Sequence, residues 1–576
     1  MTHGPDQPGR DRGSIARMDT TDVLVVGAGP TGLTMACELA RRGLAVRVID
    51  RAAAPSTRSK AIVVHARTLE IFEDVGIAED LIARGLVLRG ITMWAGGEVI
   101  VSAGFEELDT RFSYLLSVSQ AETEAVLAAK LESLGVEVER GTTLGSFRQD
   151  GTGVTATLRT NDGETTVRAA WLVGCDGAHS TVRETLELPF EGTTYDERFL
   201  LADVTIGWDT RDDRISTWFA EDGVIACFPM PGGRWRVIAS APAGDETEAA
   251  PTLDEVQAIF DRRTATGGVL GDATWLARFR IHCRQVARYR DDRVFLAGDA
   301  AHVHSPVGGQ GMNTGIQDAH NLAWKLAMVH RGEARALLLD SYEQERHAIA
   351  RSVLKSTDLA TKVGTLKSSV ARALRNEVAR HLAGLEVVQQ RIAREVSELA
   401  VGYQSSPIVR EDKISMLQAR IGSAAGGETP TLATMREFEH GPRAGSRAPD
   451  GRVTVAGSSG TKRLAEILDG RAWTLLLFDG RHESDAGYER YAKLCERIAS
   501  RWGASVRAFV VTPRASRPAK LPESVPVLLD PDGDLEKRYG ATSECAYLIR
   551  PDLYVGYRGQ PIDETKLDAY LRSILR

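Results

Sequence analysis

The glycine-rich stretch between two apolar segments near the start of the chain constrains the fold more than any other feature. An apolar strand leads into Gly27, Gly29 and Gly32, spaced as G-x-G-x-x-G, and a helical pattern and a second apolar strand follow. Asp50 closes that second strand. Glycines permit a tight turn and close approach of a pyrophosphate, the helix start favours its charge, and an acid at this distance receives ribose hydroxyls. The stretch predicts a Rossmann-like dinucleotide site rather than a packing turn without a ligand.

A second glycine-rich loop lies between an apolar run and a long helical pattern, within Gly298 to Ala327. Its glycines are Gly308, Gly309 and Gly311, and apolar residues recur at helical spacing after them. We expect a strand, a loop that leaves amides free at a helix start, and a helix. Asp299, at the exit of the strand, is a candidate acceptor for a hydroxyl. Taken alone, the loop could equally be a tight turn that binds nothing.

Length and composition describe an ordinary globular chain of several domains. The 576 residues are 43% hydrophobic and 26% charged, with a net charge of −7. The acidic balance gives no basic footprint for nucleic acid. There is neither a run of about 18 apolar residues nor a charged-then-apolar start typical of a signal peptide, so no membrane association and a cytoplasmic location are expected. The six scattered cysteines form no C-x-x-C and are interpreted as buried thiols.

Several polar residues leave two interpretations open. Cations around the end of the second strand could neutralise a pyrophosphate or could form a solvated basic face; they are Arg51, Arg58, Lys60 and Arg67. Gln120, at the first turn of a predicted helix, could contact a cofactor or cap the helix. His302 and His304 are two positions apart, but no third ligand accompanies them, so no metal site is expected.

The periodicity changes to short β-rich runs between residues 200 and 284, which predicts a mostly antiparallel sheet. Four large apolar residues there are candidates for a substrate pocket, although such residues usually pack cores; they are Trp218, Phe228, Met230 and Trp235. The resulting division is a disordered leader (1–20), a cofactor domain (21–199 and 285–400), the inserted sheet (200–284), a linker (401–450) and a small α/β domain (451–576).

Three motifs in order carry a resemblance to a known family. The early G-x-G-x-x-G, CDGAHSTVR at Cys175–Arg183 and VFLAGDAAHVHSPVGGQGMN at Val294–Asn313 resemble the class A flavoprotein monooxygenases of para-hydroxybenzoate hydroxylase type. The resemblance covers roughly residues 22 to 350. The last hundred residues, with LIRPDLYVGYRG at Leu548–Gly559, resemble the thioredoxin-like C-terminal domain of phenol and polyketide hydroxylases. Without C-x-x-C this domain cannot be a dithiol redox module, and a structural or dimer-forming role is expected.

The resemblance implies an α/β fold: a Rossmann-like FAD-binding domain, an inserted antiparallel substrate sheet and a thioredoxin-like domain. It implies one FAD, with NADPH or NADH as a transient co-substrate. Asp50 would hold the adenosine ribose, Gln120 and Asp299 the ribityl chain, and Pro306 would lie beside the reacting face of the flavin. The complete set implied for the cofactor is Gly27, Gly29, Pro30, Thr31, Gly32, Asp50, Arg51, Arg58, Lys60, Gln120, Asp176, Asp299, Pro306, Gly309, Gly311, Met312 and Asn313.

The activity implied is oxygenation of a phenolic ring by O2 through a flavin C4a-hydroperoxide, with no side-chain nucleophile. A polycyclic, polyketide-type substrate of antibiotic biosynthesis is favoured over a simple phenol. Baeyer–Villiger oxygenation, a flavin reductase or dehydrogenase that uses no oxygen, and a non-catalytic aromatic-ligand binder remain alternatives. Lys60 stands where the family often has arginine, which leaves the NADPH contact there open. A homodimer is possible.

Overall fold

The computed structural model describes most of the chain, and at 196 and 356–364 it describes the backbone alone. The described ranges are 19–57, 59–242, 244–245, 247–305, 308–364, 386–413, 430–481 and 487–576. Nearly all of the expected leader, together with Arg58 and Pro306, lies outside them. Across these ranges, no helix combines the length and the apolar character needed to span a bilayer.

Strands and helices are numbered in chain order. Those before residue 190 are β1 (Asp19–Val26), α1 (Pro30–Ala40), β2 (Val46–Asp50), β3 (Val63–Val64), α2 (Ala66–Val75), α3 (Ala78–Ile82), β4 (Leu86–Leu88), β5 (Gly90–Ala95), β6 (Glu98–Gly104), β7 (Leu115–Ser117), α4 (Gln120–Ser133), β8 (Val138–Arg140), β9 (Thr143–Asp150), β10 (Gly153–Thr160), β11 (Gly163–Gly174) and α5 (Thr181–Thr185). The next group is β12 (Phe190–Gly207), β13 (Arg214–Ala220), β14 (Gly223–Met230), β15 (Arg234–Ser240), α6 (Leu253–Thr264), β16 (Val269–Val286), β17 (Arg290–Asp291), β18 (Val294–Leu296), β19 (His302–Val303), α7 (Gln310–His330), α8 (Leu337–Gly364) and α9 (Glu386–Val396). The C-terminal group is β20 (Arg410–Lys413), α10 (Leu432–His440), β21 (Arg452–Val455), β22 (Lys462–Arg463), β23 (Trp473–Phe478), α11 (Tyr488–Trp502), β24 (Val506–Thr512), β25 (Val527–Leu529), α12 (Asp534–Tyr539), β26 (Cys545–Ile549), β27 (Val555–Gln560) and α13 (Glu564–Ile574).

The first sheet confirms the Rossmann-like prediction. Its order is β17-β18-β11-β1-β2-β8, and β1 pairs in parallel with both β2 and β11. Parallel strands direct their carboxyl ends to one edge of a sheet, where nucleotides bind. The residues that follow or end these strands, namely Gly27, Asp50, Cys175 and Gly298, therefore lie along that edge.

The second sheet is mostly antiparallel, as expected, and runs β19-β16-β12-β15-β14-β13-β5-β6. It extends beyond the stretch 200–284, because β12 begins at Phe190 and because β5 and β6 supply an edge hairpin from residues 90–104. Helix α6 covers one of its faces. Sequence patterns did not identify the hairpin as part of this sheet, since a strand's own residues do not state which edge it joins.

The third sheet forms the C-terminal domain, in the order β20-β27-β26-β23-β24-β25-β21-β22. Its parallel β23, β24 and β25 beside antiparallel β26 and β27 give the expected thioredoxin-like arrangement. Part of the expected linker is built into this domain, because β20 pairs with β27. Burial raises the pKa of the Cys495 thiol to about 12, which makes a thiolate role there unfavourable.

Helix α7 connects the two domains through shared burial. Ile316 and Leu322 belong to the core of the domain built on the first sheet. Trp324 and Met328, in its second half, pack in the core of the C-terminal domain. The Trp324 ring meets the Trp473 ring edge-on, with centroids 5.5 Å apart. The same helix therefore contributes to both hydrophobic cores.

Candidate active site

The first two motifs are packed directly against each other at the edge of the parallel sheet. Gly27 has a φ of +103°, and a Cβ added to it would lie 2.4 Å from the carbonyl oxygen of Cys175. A Cβ added to Gly32 would lie 1.9 Å from the carbonyl oxygen of Gly27. Gly29 differs, because nothing lies within 4 Å of its added Cβ. Gly27 and Gly32 therefore close the turn, while Gly29 leaves open space beside it.

The third motif joins the first through Thr31. An added Cβ at Gly298 would lie 2.6 Å from Thr31 Oγ1, and one at Gly315 would lie 2.4 Å from the same atom. Thr31 thus fills the space between the turn after β18 and the second turn of α7. The role expected for Thr31 at the cofactor stays a prediction, and its observed contacts hold α1 against α7.

The helices that follow the two glycine loops begin without a side-chain cap. Helix α1 starts at Gly29 with Pro30 in its first turn, and α7 starts at Gly309 in the left-handed conformation. By contrast, hydroxyl side chains cap α4 and α5, from Ser119 and Ser180 respectively. An uncapped helix start offers backbone N–H groups and a partial positive charge to an anion.

The acid at the end of β2 is held by backbone donors. The N–H of Ala28 donates to Asp50 Oδ2 at 2.7 Å, and the N–H of Ala52 donates to Asp50 Oδ1 at 2.8 Å. This places the carboxylate beside the first glycine turn. Arg51, the next residue along the chain, and Lys60 are exposed.

Arg67 is not part of a solvated basic face and does not face this edge. It is buried and donates to Glu70 at 2.8 Å and to the carbonyl oxygen of Asp552 at 2.8 Å. It lies on α2 with its guanidinium turned toward the C-terminal domain. The interpretation of Arg67 as a pyrophosphate contact is therefore wrong.

The three polar residues expected near the ribityl chain and in the middle motif differ in how far their side chains are already hydrogen-bonded within the protein. Ser119 caps α4, so Gln120 is not the cap; its amide donates to Glu124 at 2.8 Å. Asp299 is exposed in the turn after β18. Asp176 accepts from the N–H of Val182 at 3.2 Å, while its Oδ1 is buried without a hydrogen-bond partner in the described structure. Burial raises the pKa of Asp176.

The glycine-rich loop of the third motif, which is expected to seat the flavin and is called the flavin loop below, is tied in its described part to β3 by Asn313. Asn313 donates to the carbonyl oxygens of Val63 and Gly309, both at 2.9 Å, and accepts from the N–H of His65 at 2.9 Å. Its side chain is thereby fully used, so that only its backbone could meet a ligand. An added Cβ at Gly311 would lie 3.8 Å from the His304 ring, and Met312 is half-buried. Pro306, the residue expected at the reacting face, falls in the gap between 305 and 308.

Sequence reasoning missed a buried polar cluster behind this loop. Glu398 has a φ of +60°, lies in the segment after α9 and accepts from the side-chain amide of Gln317. Its Oε1 is 3.5 Å from Nδ1 of His65, and both side chains are buried. Nothing in the local pattern around residue 398 distinguishes it from the exposed glutamates before it. Only the fold brings it under the start of α7.

The base of α7 is fixed by a buried ion pair. Arg346 Nε donates to Asp318 Oδ1 at 2.6 Å, and its Nη2 donates to the carbonyl oxygen of Thr314 at 3.1 Å. Asp318 Oδ2 accepts from the N–H of Gly298 at 3.0 Å and lies 2.7 Å from His302 Nε2. Burial alone would raise the pKa of Asp318, but Arg346 and His302 hold it below its usual range. The carboxylate therefore stays ionised and joins the turn after β18 to α7.

The substrate candidates divide between two faces of the inserted sheet. Phe228 and Met230 are half-buried and pack against the apolar cluster that contains Val63, on the side of the flavin loop. Trp218 and Trp235 lie on the opposite face, in the core beneath α6. The prediction that Trp218 and Trp235 line the substrate pocket is therefore wrong. Side chains alternate along a strand, and those of Trp218 and Trp235 point away from the cofactor domain. Trp218 also stacks on Trp94, with ring centroids 6.2 Å apart.

The edge of the parallel sheet has the features that a dinucleotide requires. Gly29 leaves an open cradle, two helix starts are uncapped, and one buried oxygen of Asp176 has no partner in the described structure. A pyrophosphate with flanking hydroxyl donors matches this donor and acceptor set. The residues present therefore fit FAD.

Comparisons with known proteins agree with this geometry. Residues 20–357 match the family model described as FAD binding domain, and residues 441–576 match the one described as aromatic-ring hydroxylase, C-terminal. A 6-methylpretetramide 4-monooxygenase of Streptomyces rimosus is 35% identical, with 96% of this chain and 94% of the relative covered. A pentachlorophenol 4-monooxygenase of Sphingobium chlorophenolicum is 33% identical, with 93% of each chain covered.

A solved structure extends the likeness to the whole fold. The ternary complex of an aklavinone-11 hydroxylase with FAD and aklavinone superposes with a TM-score of 0.72 at 27% identity, covering 96% of this chain and 98% of that chain. Both family models lie on the domains that the geometry separates, and the relatives span nearly the full chain. The chain therefore belongs to the class A flavoprotein monooxygenases, the FAD-dependent enzymes that consume NAD(P)H to oxygenate aromatic compounds.

Proposed function

We propose that the protein hydroxylates a phenolic ring within a polycyclic, polyketide-type aromatic substrate. The observation that carries the proposal is the meeting of two surfaces at Val63. This residue belongs to the apolar cluster on which Phe228 and Met230 pack. Its carbonyl also accepts from Asn313, and an added Cβ at Gly309 would lie 3.4 Å from its side chain. An apolar surface for an aromatic ring thus adjoins the loop expected to seat the flavin.

The space next to that surface favours a large substrate. A cavity of about 480 Å³ lies between the end of β6 and α9. Two of its lining residues, Leu108 and Ala393, also belong to the apolar cluster. Other lining side chains are polar, among them Glu106, Gln390 and Arg394. The cavity therefore combines an apolar edge with a mostly polar lining, at a volume within the range of small-molecule sites.

Relatives support the same substrate class. The full-length relatives include enzymes that act on polyketide intermediates and one that acts on a chlorophenol. The aklavinone-11 hydroxylase in complex with FAD and aklavinone matches this chain over nearly the full length of both. The polycyclic class is favoured because the cavity adds space beyond that needed for a single ring.

In the proposed site, FAD supplies the oxygen-transfer chemistry after reduction by NAD(P)H. Gly27 to Gly32 would hold its pyrophosphate and Asp50 its adenosine ribose. The start of α7 would present backbone N–H groups and a partial positive charge to the flavin. Phe228 and Met230 would orient the substrate ring and exclude water from the reacting atoms. In this proposal the chain positions the cofactor and the substrate, places a partial positive charge beside the flavin and excludes water, and it supplies no nucleophilic side chain.

The test is a panel of simple phenols and polycyclic phenols assayed with the FAD-loaded enzyme under ¹⁸O2. We expect a polycyclic phenol to stimulate NAD(P)H oxidation and to give a product that carries one oxygen atom from O2 with its carbon skeleton intact. Turnover of simple phenols alone would overturn the substrate class. A ring-expanded product would instead indicate Baeyer–Villiger oxygenation, and turnover without O2 would indicate a dehydrogenase. Tight binding without NAD(P)H oxidation would indicate a binding protein.

A further inference from the structure

We propose that the turn between β26 and β27, residues 550–554, supports the FAD site from behind, with Arg550 as a positioning residue for the flavin loop. This gives the C-terminal domain a role in the reaction centre, although it carries no residue of the three cofactor motifs. The inference rests on the proposed placement of the flavin beside the start of α7.

The turn is anchored in the FAD-binding domain by a fully buried ion cluster. Arg550 donates through Nη1 and Nη2 to the two oxygens of Glu345 on α8, at 2.7 and 2.9 Å. Lys325 Nζ, on α7, donates to Glu345 Oε2 at 2.6 Å. Asn321, also on α7, donates to Glu345 at 2.7 Å and to Asp552 at 3.3 Å. The Glu345, Lys325 and Arg550 side chains have no exposed surface.

The next residue on α8 carries this contact to the flavin loop. Arg346 directly follows Glu345 and holds both Asp318 and the carbonyl oxygen of Thr314, in the second turn of α7. Asp318 in turn accepts from the N–H of Gly298. A rotation or shift of α8 that followed loss of Arg550 would therefore move the start of α7 and the turn after β18 together.

Two further contacts lead from the same turn to the same loop. The Tyr554 ring lies 4.4 Å from the Tyr403 ring, and the Tyr403 hydroxyl accepts from Arg346 at 3.0 Å. The carbonyl oxygen of Asp552 accepts from Arg67 at 2.8 Å. Arg67 is two residues after His65, whose N–H donates to Asn313. The turn thus supports the flavin loop from α2, α7 and α8.

The chemistry of these contacts favours a role in geometry over one in adhesion. A buried ion pair loses much of its attraction to desolvation, and apolar residues of similar volume often hold two surfaces together at least as well. Bidentate pairing of arginine with a carboxylate instead fixes direction and distance. Residues behind a site hold the residues that touch the ligand in place. Their loss weakens the affinity for the ligand although no group that contacts it is removed.

The experiment is a titration of the full-length apoenzyme with FAD, followed by quenching of flavin fluorescence, below the unfolding temperature of each variant. We expect Arg550→Met to weaken FAD binding by roughly tenfold, as a misplaced support behind a site does. Arg550→Lys keeps the charge but loses the bidentate geometry, so it should fold and show an intermediate affinity. At saturating FAD, both variants should shift the visible circular dichroism of the bound flavin.

Arg538→Met is the matched control, because Arg538 is an arginine of the same domain that contacts Asp109 in the FAD-binding domain at a partly exposed site. It should leave FAD affinity and the flavin spectrum unchanged. Equal losses in the Arg538 and Arg550 variants, or an unchanged spectrum in Arg550→Lys, would reduce Arg550 to a domain contact and overturn the inference. If Arg550→Met does not fold, Arg550→Lys decides the outcome alone. The titration needs no substrate, so failure of the proposed hydroxylation leaves this result independent.

Discussion

At the residue scale, the three glycines of the first motif have different physical roles. Gly27 and Gly32 are required by close backbone contacts within the protein itself. Gly29 has ordinary extended backbone angles and open space around it. The structure therefore separates glycines that the fold needs from the one that a ligand would need, although all three belong to one spacing pattern.

This difference predicts that two alanine substitutions will differ in their effect on stability. Gly29→Ala should leave the thermal unfolding of the apoenzyme unchanged but weaken FAD binding, since the added methyl group would occupy space reserved for the pyrophosphate. Gly32→Ala should lower the unfolding temperature of the apoenzyme as well, because its Cβ would overlap the Gly27 carbonyl. Differential scanning fluorimetry of the apo forms and FAD titration check both effects.

Gly43→Ala is a useful control, because Gly43 also has open space but lies away from the glycine turn, with a φ of +82°. It should affect stability alone, through its left-handed backbone. Normal FAD affinity in Gly29→Ala would contradict the assignment of Gly29 to the pyrophosphate.

At the scale of elements, alternation along the strands of the inserted sheet decides which residues can meet substrate. The sequence predicted the sheet and the aromatic candidates, but it could not predict which face each candidate occupies. That choice depends on strand register and on which face α6 covers, and both are set by distant parts of the chain. The same limit explains why Glu398 and His65 escaped notice: each is ordinary in its own segment and meets the other only through the fold.

The two faces predict different consequences for two aromatic truncations. Phe228→Ala should raise the KM for the aromatic substrate by roughly tenfold, or should cause the enzyme to form hydrogen peroxide in place of hydroxylated product. Its affinity for FAD should stay unchanged. Trp218→Ala should instead destabilise the protein by about 3–5 kcal/mol, as loss of a core aromatic does. Steady-state kinetics with product coupling and urea denaturation separate the two. An unchanged KM and coupling in Phe228→Ala would remove Phe228 from the substrate surface.

At the scale of the whole molecule, the glycine motifs predicted the cofactor domain, and the family resemblance predicted the third domain. Their association was not predictable from either pattern. Glu345, Lys325 and Arg550 are far apart in the sequence, and each is a residue type that usually lies on a solvated surface. Burial lowers the pKa of Lys325 to about 8, despite the opposing effect of Glu345. Such a cluster is recognised only after both domains are in place.

The cluster predicts a pH dependence of stability. Burial would raise the pKa of Glu345, but Arg550 and Lys325 hold it well below its usual range. The unfolded state therefore takes up the proton first, and the free energy of unfolding falls as the pH drops below the ordinary glutamate value of about 4.3. Glu345→Gln should be less stable than the wild type at pH 7 and should lose less stability between pH 5 and pH 3, a window of about 2 units around that value.

Urea denaturation followed by tryptophan fluorescence at several pH values in this window provides the measurement. Glu395→Gln is the control, because Glu395 is exposed on α9 and should retain the wild-type dependence. Parallel curves for Glu345→Gln and the wild type would show that Glu345 does not contribute to the acid sensitivity.

The shared burial of α7 has a consequence for how such enzymes can be recombined. Helix α7 begins at the flavin loop, and its residues Trp324 and Met328 lie inside the core of the C-terminal domain. A chimaera that exchanged the C-terminal domain at the segment after α9 would leave Trp324 and Met328 facing a foreign core, and Glu345 facing an unmatched surface. Domain exchange in this family should therefore succeed only when Trp324, Met328 and Glu345 are exchanged together with the C-terminal domain. The residues that must be exchanged together are those of the domain interface, and several of them lie within the part of the chain that matches the FAD-binding family model.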